Sequence, residues 1–127
     1  MDSTLTIAEA AAACGVTVDT LRYYEKIGLL ARVPRSRSGH RRYGDAEVSW
    51  VRFLRKLHAT GMPIRRMVQY ARLARRGDAT YAERRALLEA HRAEVVAKLD
   101  ELTTSLALID RKIALYRGAG DGAASSV

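Results

Sequence analysis

From Leu88 to Tyr116 an apolar residue recurs every seven positions: Leu88, Val95, Leu102, Ile109 and Tyr116. A second series, Leu99, Leu106 and Ile113, falls between them at steps of three and four. This spacing draws one continuous apolar seam along an α-helix. Upstream, the first series extends to Tyr81 while the second holds Arg85 and Arg92, so the seam is polar at its start. A helix from Thr80 to Arg117 would be about 57 Å long at roughly 1.5 Å per residue. It cannot bury its stripe against one small domain, and it predicts a second copy of the chain. Leu88, Val95, Leu99, Leu102, Leu106, Ile109, Ile113 and Tyr116 are the expected dimer interface. Thr80 and Glu83 have the spacing of a capping box ahead of this helix. The small, polar run GAGDGAASSV from Gly118 predicts a disordered tail.

Charge divides the chain at a similar place. Residues 1–78 hold fifteen Lys and Arg against seven Asp and Glu, whereas residues 79–127 hold seven of each. The whole net charge of +8 therefore belongs to the first part. A coding bias toward arginine would spread it evenly; the split fits a polyanion partner for one domain. The expected organisation is a basic domain over 1–78, a dimerisation helix over 79–117 and a tail over 118–127. These cations do not share one long helical face, which disfavours a basic membrane-surface helix. The single cysteine, Cys14, excludes an internal disulfide and a multi-thiolate metal cage. With no run of about eighteen apolar residues and no signal-peptide pattern at the start, the expectation is a soluble cytoplasmic protein with no membrane partner.

The basic part opens with two short helices. Thr6, with Glu9 three residues on, reads as a capping box for Ile7–Cys14. After Gly15, Thr17 suits the N-cap of a second helix, which Gly28 ends. Val18 and Leu21 face inward by their spacing, leaving Asp19, Thr20, Arg22, Tyr23 and Lys26 on the other side. A face of cation, hydroxyl and phenol suits a phosphate-lined groove, so the pair predicts a helix-turn-helix with a DNA recognition helix. In ARVPRSRSGHRRY, residues 31–43, Pro34 and Gly39 discourage helix and Ser38-Gly39 marks a hairpin tip. Arg32, Arg35, Arg37, Arg41 and Arg42 crowd this piece, and such like charges repel unless an anion relieves them. It reads as a small basic wing.

Asp45 is the expected cap of a helix to about Thr60, with Val48, Val51, Leu54, Leu57 and His58 as its stripe and Trp50 and Phe53 adding bulk. After Gly61 and Pro63, Ile64, Met67, Val68 and Ala71 carry the buried side of the next helix, with Arg65, Arg66, Arg72, Arg75 and Arg76 outside. No carboxylate pair, nucleophile–base set, metal-ligand spacing or phosphate loop is present. The expectation is therefore a DNA-binding protein that is not an enzyme and needs no metal or cofactor.

The segments TIAEAAAACGVTVDTLRYYEKIGLL, SGHRRYGDAEV and FLRKLHATGMPIRRM resemble the MerR-type family of bacterial transcription regulators. LRYYEKIGLL and the Arg-Tyr after the hairpin glycine are the specific marks. The resemblance implies a mainly α fold: a winged helix-turn-helix followed by a long C-terminal helix forming an antiparallel coiled-coil dimer. It implies a homodimer on a palindromic promoter, controlling transcription by distorting an overlong spacer, with RNA polymerase at that promoter. The alternative is an effector-independent architectural DNA-bending protein. By position, Thr17, Arg22, Tyr23 and Tyr24 would meet DNA from the recognition helix, alongside the exposed Thr20. Arg41 would be the wing arginine, with Arg35, Arg37 and Arg42 on phosphates and His40 where many relatives carry an aromatic residue. The stretch PIRRMVQYARLARRGDATYAERRALLEAH looks like the aldehyde- and thiol-stress branch, yet Lys56 stands where that branch usually has its cysteine. A small-molecule effector of unidentified chemistry has a candidate place near Tyr70, Tyr81 and His91.

Overall fold

The computed structural model describes residues 4–31, 37, 39 and 42–120. Its elements are α1 (Ile7–Cys14), α2 (Val18–Lys26), α3 (Asp45–Ala59), α4 (Ile64–Arg75), a single 3-10 turn (Asp78–Thr80) and α5 (Tyr81–Gly120). No strand forms among the described residues; the wing is represented by one antiparallel bridge at its base, between Leu5 and Tyr43. The chain divides into two compact units, Met1–Leu88 and Glu89–Val127.

Local signals explain most of the helix ends. Thr6 Oγ1 accepts from the Glu9 N–H at 3.2 Å while Glu9 Oε1 accepts from the Thr6 N–H at 2.9 Å, the reciprocal pair of a capping box. Those bonds from Thr6, backbone first, hold the Glu9 carboxyl below its ordinary pKa. Gly15 closes α1 at φ +70°, and a Cβ there would lie 3.2 Å from Arg55 Nη1, so the turn into α2 favours glycine twice over. Two starts differ from expectation. Gly44, not Asp45, is the N-cap of α3, because Glu47 reaches back to the Gly44 N–H at 3.0 Å. Thr80 points backward: its hydroxyl lies 2.7 Å from the Leu73 carbonyl and 2.8 Å from that of Gly77. Arg84, rather than Glu83, bonds it, from Nε at 3.0 Å.

The first unit encloses one apolar core. Leu21, Leu29, Leu54 and Met67 are fully buried, contributed by α2, the turn after it, α3 and α4. Tyr43 joins them and seats the base of the wing. On α3 the stripe Val48, Val51, Leu54 and Leu57 is buried as its spacing predicts, whereas His58 is exposed and Phe53 lies at the rim. Trp50 and Tyr70 stack with ring centroids 5.7 Å apart, joining α3 to α4. Cys14 is buried, its Sγ 3.8 Å from the Val48 carbonyl. Burial pushes the thiol pKa up, opposed in part by Arg52.

Among the described residues the second unit is helix alone. α5 is 40 residues long, and Leu99, Leu102, Leu106, Ile109, Ile113 and Tyr116 stand exposed along its seam, with Val95 partly so. Leu88 differs: it belongs to the first unit and packs against that unit's core.

Truncating Leu54 to Ala should cost about 2–5 kcal/mol of unfolding free energy, measured by urea titration. A raised folded pKa keeps the Cys14 thiol protonated where the unfolded thiol has ionised. Its stabilising contribution is thus complete below the unfolded thiol value and lost as pH rises through the folded one. Stability of the native chain should fall over that alkaline window more than stability of Cys14→Ala. An alkylating reagent at neutral pH should label Cys14 only after denaturant unfolds the chain; rapid labelling of the folded protein would contradict its burial.

Candidate nucleic-acid interface

α2 is amphipathic, and its inner face is wider than the sequence spacing indicated. Leu21 and Tyr24 are buried and Val18 packs against the core. Tyr24, expected among the DNA-facing side chains, is 5% exposed, because three residues from Leu21 places it on the same side of the helix. Burial raises its phenol pKa, with Arg55 opposing. The open face consists of Asp19, Arg22, Tyr23 and Lys26, with Thr17 at its head and Thr20 half-buried beside it. Tyr23 is 50% exposed. Arg22 Nη1 lies 3.8 Å from Asp19 Oδ1, an ion pair one turn apart and open to water. Such a pair is worth at most about 1 kcal/mol, so the guanidinium is readily transferred to another anion.

Both ends of α2 are fixed by polar contacts. At the start, Thr17 Oγ1 accepts from the Thr20 N–H at 3.0 Å and shares a 2.9 Å hydroxyl contact with Thr20 Oγ1. Thr17 and Thr20 are therefore engaged with each other first. At the end, Gly28 turns at φ +87°, and the Leu29 and Leu30 N–H groups return to the Tyr24 carbonyl at 2.9 and 3.1 Å. Arg75 Nη1 donates to the Gly28 carbonyl at 2.8 Å, and Trp50 Nε1 to that of Leu29 at 2.8 Å.

The wing is described at its base and at Arg37 and Gly39. Arg37 is exposed. Arg42 is committed to the fold: Nε donates to Thr4 Oγ1 at 2.9 Å and Nη2 to the Thr4 carbonyl at 2.8 Å. It ties the wing to the segment before α1, beside the Leu5–Tyr43 bonds of 2.7 and 2.8 Å. That use departs from the expected phosphate contact. Arg35, His40 and Arg41 lie outside the described residues.

Other arginines follow the same pattern as Arg42. Arg52 donates from Nε and Nη2 to the Ala13 carbonyl at 3.0 and 2.9 Å, closing the end of α1. Arg84 bonds the Gly77 carbonyl at 3.1 Å and lies 4.6 Å above the Tyr81 ring. Sequence spacing had marked Arg75 as outward decoration and did not single out Arg52 or Arg84. An arginine's partner is a backbone carbonyl that only the tertiary fold brings within reach. Of the residues expected near an effector, Tyr70 is spent on the Trp50 stack, Tyr81 is exposed and His91 is buried. No group of three or more potential metal ligands occurs among the described residues.

A short helix pair presenting a cationic, phenolic face, followed in sequence by an arginine-rich segment, fits a helix-turn-helix DNA-binding regulator. The description "MerR family regulatory protein" matches residues 6–43, and "MerR, DNA binding" matches residues 48–112. The chain belongs to the MerR family, and its relatives are transcriptional regulators rather than enzymes. An uncharacterized HTH-type transcriptional regulator of Haemophilus influenzae is 37% identical, over 91% of this chain and 86% of its own length. The HTH-type transcriptional regulator AdhR of Bacillus subtilis is 34% identical over 72% of this chain and 66% of its own. Among solved structures, HiNmlR, described as a MerR family regulator lacking the sensor domain and bound to promoter DNA, superposes with a TM-score of 0.83. It is 36% identical over 94% of both chains.

Removing the Thr17 cap by Thr17→Ala should cost about 1 kcal/mol of stability. Arg22→Ala should leave stability unchanged within about 0.5 kcal/mol. It should instead weaken binding to the cognate promoter by about 1–3 kcal/mol, measured by fluorescence anisotropy. Undiminished affinity in Arg22→Ala would remove the open face of α2 from the interface.

Proposed function

We propose that this MerR-family DNA-binding regulator acts as a homodimer on a palindromic promoter and controls transcription by distorting an overlong spacer between the two polymerase elements. The observation that carries the reading is the exposed seam of α5. Leu99, Leu102, Leu106, Ile109, Ile113 and Tyr116 are each 42–68% exposed. Covering the rest of each against a second helix is worth on the order of 1 kcal/mol. An antiparallel pair of such helices, seam to seam, gives two recognition helices related by a two-fold axis, and a palindrome mirrors that symmetry. In this reading residues 1–78 bind DNA and 79–117 dimerise, with the interface starting at Val95 because Leu88 is used by its own core.

Thr20, Arg22 and Tyr23 reach the groove from α2, with Thr17 presenting its backbone and cap at the helix start. Arg35, Arg37, His40 and Arg41 of the wing meet the flanking phosphates. Tyr24 and Arg42 act one step back, holding α2 and the wing where those side chains can reach. The DNA-bound relative HiNmlR supports the DNA assignment. RNA polymerase then engages the distorted promoter, and the protein works in the cytoplasm where that DNA lies.

Four measurements test the proposal. Sedimentation of Leu99→Asp/Leu106→Asp should show monomers that no longer hold two half-sites; a dimeric double variant would overturn the seam as interface. Affinity should fall steeply with salt, through counterion release at the contacted phosphates. Footprinting upstream of the protein's own gene should protect one palindrome, with circular-permutation gels showing a bend there. Diffuse coverage would favour an architectural DNA-bending protein instead.

A further inference from the structure

A cavity of about 250 Å³ opens beside the end of α2, inside the first unit. Leu29 and Ala31, in the link that leaves α2, form one wall; Glu47 and Trp50 of α3 form a second; Ala74 and Arg75 of α4 form a third. An enclosed cavity of about 150 Å³ admits benzene, so by volume this more open space has room for an aromatic ring with a polar substituent.

Its walls are set. The Trp50 indole is fixed on both sides, by its Tyr70 stack and by its bond to Leu29. Two charged groups of opposite sign line the otherwise apolar space, and each is pinned by one bond that leaves donors or acceptors over. Glu47 gives one oxygen to the Gly44 N–H, and Arg75 gives Nη1 to the Gly28 carbonyl. Each is bonded to the backbone, and no ion pair joins the two among the described residues. A guanidinium offers five N–H donors and a carboxylate about four acceptor sites. A ligand that supplied an acceptor to Arg75 and a donor to Glu47 would satisfy both without burying a net charge.

We infer that this cavity binds a small, net-neutral aromatic molecule bearing both a hydrogen-bond acceptor and a donor, such as a carboxamide, and that its occupancy alters promoter affinity. The second clause rests on the function proposed above. Its physical basis is the position of the site: Arg75 and Trp50 are the side chains that fasten Gly28 and Leu29, and Ala31 leads directly into the wing. A ligand bonded to Arg75 and packed on Trp50 changes how firmly the end of α2 is held to α3 and α4.

Trp50 is the chain's single tryptophan, so its emission reports on the site alone. Benzamide titrated into the full-length protein should change that emission saturably and raise the melting temperature. Benzoate, which pairs with Arg75 but brings Glu47 a second negative charge and no donor, should bind about tenfold more weakly. Glu47→Gln keeps the cap, since Gln serves that role as Glu does, and should erase the difference between the two probes. Ala74→Leu, which fills the space, should abolish the response, and Arg75→Gln should weaken benzamide about fivefold or more. A non-saturable response, a response undiminished in Ala74→Leu, or equal binding of both probes to the native chain would each overturn the site. Saturating benzamide should shift promoter affinity by about fivefold or more; saturable binding with no shift would overturn its role as an effector site. A chain that binds its promoter and ignores benzamide sinks this inference alone. One that binds benzamide and no promoter sinks the proposed function and leaves the cavity assigned.

Discussion

The placement of α2 depends on how its last turn is fastened. The helix is nine residues long. Isolated helices shorter than about twelve residues are marginal in water, so tertiary contacts must hold it. At its end the chain reverses through Gly28 in the left-handed region, and Leu29 and Leu30 drop into the core. Arg75 and Trp50 then bond the two carbonyls that this reversal presents, from α4 and α3 respectively. Three elements, α2, α3 and α4, thus converge on three consecutive residues. The open face of Arg22, Tyr23 and Lys26 inherits its direction from that junction, since Val18, Leu21 and Tyr24 have a single place to go.

Arginine does two separate jobs in the first unit. Arg42, Arg52 and Arg75 each donate to backbone carbonyls of the protein itself. Their donors are partly spent, yet their charge is not neutralised, because a carbonyl carries no formal charge. They continue to contribute to a field that attracts a polyanion at a distance. Contact is a different matter. Arg22, in an exposed ion pair, and the exposed Arg37 keep solvated heads suited to touching one. Net charge points to the kind of partner; the hydrogen bonds identify the arginines that hold the scaffold, and the proposed contacts fall among the rest.

What could be read from the residues follows the range of the interaction. The Thr6–Glu9 box, the Thr17 cap and the Gly15 and Gly28 stops depend on neighbours within a turn, and each is where its spacing placed it. The α3 stripe from Val48 to Leu57 follows from period alone. Local competition between candidate caps was harder: Gly44 displaced Asp45 because Glu47 reached it, and Thr80 turned to the carbonyls behind it. Tyr24 was ambiguous because a helix of few turns has a broad inner face, and a phenol suits either side of it. The clamps of Arg52 and Arg75, and the Trp50–Leu29 bond, join residues 21 to 47 positions apart. No spacing rule reaches that far.

The polar start of the heptad seam has the same kind of explanation. Arg85 and Arg92 occupy the second series where the first series is still apolar. In this stretch Leu88 is turned toward the core of the first unit, so one series alone is enough to hold the helix there. Arg85 and Arg92 of the other series stand exposed there. Beyond Val95 both series are apolar and both are exposed, which a helix packed on its own domain would not require. The seam therefore changes purpose along its length. Its first turns fasten the helix to the first unit through Leu88, and in the proposed dimer the remainder packs against a second copy. A helix of nine residues spans few base pairs, so a specific reader gains most from a second copy at fixed spacing. In the proposed dimer the forty-residue α5 sets that spacing.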